Sequence, residues 1–205
     1  SVMEFSELEV EFLHRLAHST PLATSQLYED LLARLDTRNV ARLVFDRAIL
    51  RIGTAHEDIV GLVDCGDLES AKYLAQSLTG FVADLVLASS GDSSPSEKWR
   101  IRRLRRLMAE QPGETVRDRI AILADRLLGA EGPQTLAEQV RQSVFLANRI
   151  VPWAQNRFLS GKLSAPLDTL PRLPGEPTPG RTSRLEQGSD NDSTLPPLRI
   201  DALIR

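Results

Sequence analysis

The sequence predicts an all-α fold, an antiparallel bundle of about six to seven helices followed by an extended C-terminal tail. Three observations predict it. Apolar residues recur at helical spacing from Ser6 to about Lys162, and no stretch alternates convincingly with period two. Seven of the twelve prolines crowd between Pro166 and Pro197, where no packed element can form. The helices run three to six turns and are joined by short loops, as in an antiparallel bundle. The corresponding division is 4–161 for the bundle and 162–205 for the tail.

Ser6 with Glu9 has the capping-box pattern, and Leu8, Phe12, Leu13 and Leu16 then make one apolar stripe. After a turn at Ser19-Thr20-Pro21, a second helix from Ser25 to Asp36 is expected to turn Leu27, Leu31, Leu32 and Leu35 inward. The segment Arg38 to Asp64 is helical in spacing, with interruptions expected at Gly53 and Gly61. Gly66 suits a C-cap, and Asp67 can cap the next helix at once. That helix, Leu68 to Ser89, carries Leu74, Leu78, Phe81, Val82, Leu85, Val86 and Leu87 over more than half its circumference. It is therefore predicted to be central. Pro95–Glu110, Glu114–Leu128 and Pro133–Leu159 complete the bundle. The tail ends in "LPPLRIDALIR", whose Leu195, Leu198, Ile200, Leu203 and Ile204 form a candidate docking segment.

Composition narrows the function classes. Apolar residues make up 41% and charged residues 26%, a globular mix, and a net charge of −3 confines any polyanion site to a local patch. The lone Cys65 excludes an internal disulfide framework, and no long uncharged apolar run is present. A cytoplasmic protein without a membrane partner is expected. Only three of the 25 basic residues are lysine, a bias expected of a GC-rich bacterial genome.

The densest charge lies in "GDSSPSEKWRIRRLRRL", Gly91 to Leu107. Ser94, Pro95 and Glu97 make a helix-start signature. At 100° per residue, Ile101, Leu104, Leu107 and Met108 share one side, and Lys98, Arg102, Arg105 and Arg106 lie opposite. Trp99 falls on the Arg103/Arg106 side, away from the apolar stripe. Lys98, Trp99, Arg102, Arg103 and Arg106 are thus the candidate edge for an anionic ligand or partner, weighed against a plain solvated face. Asp84 shares a helix face with Tyr73, Ser77 and Gly80, and a carboxylate there must be paired or line a cleft. A salt bridge to an arginine of a neighbouring helix is the simpler expectation.

Other motifs carry less. Arg51 and His56 have the R-x4-H spacing of HEPN-type ribonuclease sites, but Gly53 inside it and the missing polar-Tyr pattern count against that chemistry. His14 and His18 stand one turn apart without a third ligand at matching spacing, so no metal site and no cofactor is expected. "GSDND" at 188–192 lies in tail-like sequence without strands and is read as a decoy.

The segment "DCGDLESAKYLAQSLTGFVADLVLASSGDSSPSEKWRIRRL", Asp64 to Leu104, resembles the helical C-terminal domain of antibiotic-type nucleotidyltransferases of the kanamycin and lincosamide kind. In that family a long helix after an acidic Gly turn leads to a Gly-x-x-Pro-x-x-Lys-Trp segment, whose corresponding residues here are Gly91, Pro95, Lys98 and Trp99. The likeness extends loosely over residues 4 to 160. The metal-binding α/β catalytic half of those enzymes has no counterpart in this sequence. The resemblance therefore implies the substrate- or partner-binding half alone.

Three function classes follow. One is a non-catalytic helical accessory or binding protein working with a partner enzyme in bacterial natural-product or peptide-modifying metabolism, its tail serving as docking segment or as presented substrate. The second is an all-α enzyme using Asp84 or Glu69 with the Lys98–Arg106 edge on an anionic or nucleotide substrate. The third, a nucleic-acid-binding regulator, has no helix-turn-helix or RNA-binding signature behind it.

Overall fold

The computed structural model describes residues 6–19, 26–129, 135–162, 167–174 and 176. Seven α-helices and no strand are found among them: α1 Glu7–His18, α2 Gln26–Arg34, α3 Thr37–Asp64, α4 Leu68–Ser89, α5 Arg100–Glu110, α6 Glu114–Leu127 and α7 Leu136–Leu159. A single 3-10 turn, Glu97–Trp99, precedes α5. The fold is an all-α helical bundle. No helix among the described residues is long and apolar enough to cross a membrane.

Helix α4 is central because its second half is apolar around almost its whole circumference, whereas Glu69, Ser70 and Gln76 of the first half are exposed. From Leu78 to Ser89 only Phe81 escapes full burial, and α3, α5, α6 and α7 all pack on α4. Helices α3 and α4 form a tight helical hairpin. Gly66 takes a φ of 79° at the turn, where a side chain would be strained, and Asp67 accepts from the Ser70 amide to cap α4. The Ser6–Glu9 capping box opens α1, and Asp36 and Thr135 cap α3 and α7.

Several elements differ from the sequence reading. Helix α3 runs unbroken through Gly53 and Gly61. Ile52, Ala55 and Ile59 are buried there, and that packing outweighs a glycine penalty of about 1 kcal/mol each. The stripes expected to face inward on α1 and α2 do so only in part: Leu13, Leu16, Leu32 and Leu35 are half-buried, but Leu8 is 77% exposed, Phe12 64% and Leu27 69%. Val10 instead anchors α1, which packs on α3, and α2 buries no residue at all. The helix expected from Pro95 begins at Arg100, because Ser94 caps no helix; its hydroxyl accepts from the Ser96 amide instead.

The change in composition at Lys162 does not end the packing. The chain forms two units, Ser1–Pro174 and Gly175–Arg205. Within the first, residues 167–174 are a non-helical strap that buries Leu167, Leu170 and Leu173. Its polar backbone is met by side chains: Gln111 Oε1 accepts from the Leu167 amide at 3.0 Å, Arg119 donates to the Leu170 carbonyl, and Arg126 to that of Pro174 at 2.8 Å. Arg157 and Lys162 both bind Asp168. The expected tail docking residues Leu195, Leu198, Ile200, Leu203 and Ile204, with "GSDND", lie outside the described residues.

Candidate anion-binding cleft

The site is built on the end of α4. Gly91 at φ 93° stops the helix, and the amides of Gly91 and Asp92 bond back to the carbonyls of Ala88 and Leu87. Asp92 then forms an Asx turn, its Oδ1 accepting from the Ser94 amide at 2.8 Å. Its other oxygen takes the Arg103 Nε at 2.9 Å and lies 3.6 Å from Arg106 Nη2. One aspartate in a turn thus holds the basic helix against the end of α4.

Arg103 is buried, which the helical wheel did not foresee. Its Nη1 donates to the Ser96 carbonyl at 3.0 Å, while Nη2 has no hydrogen-bond partner. Within α5 Arg103 stands one turn before the buried Leu107 and is buried beside it, while Lys98, Arg102, Arg105 and Arg106 stay exposed. Arg102 faces no carboxylate among the described residues and lies 5.9 Å from the Trp99 ring centroid, with Lys98 at 5.1 Å. Trp99 is 48% exposed and belongs to no core cluster.

Asp92, Trp99, Arg102, Arg103 and Arg106 line a cleft of about 560 Å³ with Leu87, Ser90, Glu110 and, from the far end of the sequence, His14 and His18 of α1, whereas the expected edge residue Lys98 lies outside this lining. His14 Nδ1 is 3.0 Å and His18 Nε2 is 3.3 Å from the Ser93 hydroxyl, and the two ring centroids are 4.6 Å apart. Burial pushes the His14 pKa down from its ordinary value. His18, Arg103 and Arg106 push the same way, against Asp92.

Asp84 is not part of this cleft's open surface. It is buried and accepts from Arg100 Nε at 2.9 Å and Nη2 at 2.7 Å, with Arg103 at 4.0 Å. The strip of small residues beside it serves the same pair. A Cβ on Gly80 would stand 2.7 Å from Arg100 Nη1, so the glycine makes room for the guanidinium. Asp84 is therefore a structural partner of Arg100, as the salt-bridge expectation had it. Glu69 sits exposed in the first turn of α4, and Arg51 is 3.4 Å from Glu97 while His56 is buried. No group of three or more His, Cys, Asp or Glu among the described residues could hold a metal ion.

Sequence reasoning found Trp99, Arg102, Arg103 and Arg106 but missed Asp92, Ser93, Arg100 and the arrival of His14 and His18. The Gly-Asp-Ser signal of an Asx turn after a helix C-cap marks Asp92. No local signal brings α1 to the cleft.

The class of protein so defined is an all-α bundle with a basic, tryptophan-edged cleft at one end of its central helix. Compared with models of known families, with curated proteins and with solved structures, the chain matches none.

Proposed function

We propose that this protein is a non-catalytic helical binding protein whose cleft between α1, the end of α4 and α5 takes an anionic group. The observation that carries this is Arg103. A buried guanidinium with two nitrogens fixed by Asp92 and Ser96 and a third without an acceptor is a donor held ready for an incoming oxyanion. Arg102, which faces no acid, adds charge at the same cleft. The resemblance of Asp64–Leu104 to a substrate-binding helical domain agrees with this reading. So does an accessory role beside a partner enzyme, which would supply or consume the bound molecule.

Calorimetric titration with inorganic pyrophosphate tests it. Arg102→Glu with Arg106→Glu should abolish binding, and any fall in melting temperature should come from Arg106, which faces Asp92 and Glu110, and be absent from Arg102→Glu alone. Trp99→Ala should weaken binding without the loss of about 3 kcal/mol that a buried aromatic would bring. Unchanged binding in both variants would leave the arginine run as a solvated face. The enzyme reading rests on a different observation, the Ser93 hydroxyl between two imidazoles, and turnover of a nucleotide by the purified chain would decide for it.

A further inference from the structure

We propose that His14 and His18 complete the cleft as a site for a phosphate or phosphate-monoester dianion, with His14 taking up a proton as the dianion enters. This rests on the anion-binding reading above and names the ligand class and the coupling. The geometry supplies the donors a tetrahedral dianion requires. Arg103 has an uncommitted nitrogen, Arg102 and Arg106 line the opening, and His14 uses only Nδ1 on Ser93, so its Nε2 remains for a ligand. The cleft, at about 560 Å³, has room beyond a bare phosphate, and the half-exposed Trp99 gives that extra space an apolar wall suited to an organic ester group.

The coupling follows from the charges that act on His14. These are His18 on its own helix, Asp92 in the turn after α4, and Arg103 and Arg106 on α5. With the cleft open, burial and the cations keep the imidazole neutral. A dianion among the same arginines reverses the sign of the local field, and the ring then gains by protonating. Ser93 can follow this change without losing a bond, because a hydroxyl oxygen accepts as well as donates. A carboxylate or sulfonate, carrying one charge, would draw the proton less strongly.

The test uses the full chain and phenyl phosphate as probe, with benzenesulfonate as the singly charged control. The ring proton resonances of His14 and of His56, which does not line the cleft, are followed by NMR through a pH titration. Saturating phenyl phosphate should raise the His14 midpoint and leave that of His56 unmoved. Affinity should be greater at about pH 6.5 than at about pH 8, by on the order of tenfold, and His14→Gln should flatten that dependence. If phenyl phosphate binds, and Arg102→Glu with Arg106→Glu abolishes binding, but the His14 midpoint stays put, the coupling is overturned while the anion cleft stands. If benzenesulfonate binds equally well with the same pH dependence, the dianion assignment is overturned. Absence of binding at either pH at millimolar probe would overturn the cleft reading itself.

Discussion

At Asp84 a buried carboxylate is matched by a bidentate guanidinium, and each group is tolerable inside the bundle chiefly because of the other, with Arg103 and Glu97 as more distant partners. Asp84→Asn should therefore cost on the order of 3 kcal/mol, read as a lower urea midpoint, because Arg100 then keeps only the exposed Glu97, at 3.7 Å, as counter-charge. Gly80→Ala should lose part of the same energy by pushing on the Arg100 guanidinium. The double variant should then lose clearly less than the sum of the two, since both act on one pair. Additive losses would show that Gly80 serves something else. The pairing of Asp84 was legible in the sequence as a type of partner but not as a residue. Arg100 is one of five arginines within seven positions, and its i, i+4, i+7 spacing to the buried Leu104 and Leu107 is what sets it on the inner face, a register that a wheel centred on Ile101 and Met108 passes over.

Among the elements, α4 was the most legible, because an almost wholly apolar helix has only one place to go. Helices α1 and α2 were legible only in part, for the complementary reason. An amphipathic stripe shows that a helix can bury a face, and their Leu8, Phe12 and Leu27 stay exposed. The strap was hidden by its composition. Proline at 166, 171 and 174 signals an absence of helix, and only the spacing of Leu167, Leu170 and Leu173 hints that the segment packs. Leu170→Ala should cost about 2–5 kcal/mol in chemical denaturation, the range for a fully buried leucine. A loss below about 1 kcal/mol would mean that the strap is held by its hydrogen bonds rather than by its leucines.

At the scale of the whole molecule, stability should depend on pH through buried histidine. Burial holds His56 of α3 below its ordinary pKa, against a smaller upward pull from Glu57. As pH falls through about 6.5 the unfolded chain takes up a proton that the folded chain still resists. The unfolded state then binds more protons, and stability declines until the folded ring also protonates. His14 contributes in the same direction. The melting temperature should thus drop between about pH 7.5 and pH 5.5, and His56→Gln should reduce the slope. A slope unchanged in that variant would assign the effect to other groups. The strap bears on the molecule as a whole in another way, through the order of folding. Its bonds to Gln111, Arg119 and Arg126 close loops of 56, 51 and 48 residues, so these bonds have nothing to form on until α5 and α6 are in place. Its contacts are expected to form after the folding barrier. Leu170→Ala should leave the refolding rate nearly unchanged and put its whole effect into faster unfolding, which makes eight residues of irregular chain the latch that sets the lifetime of the native state.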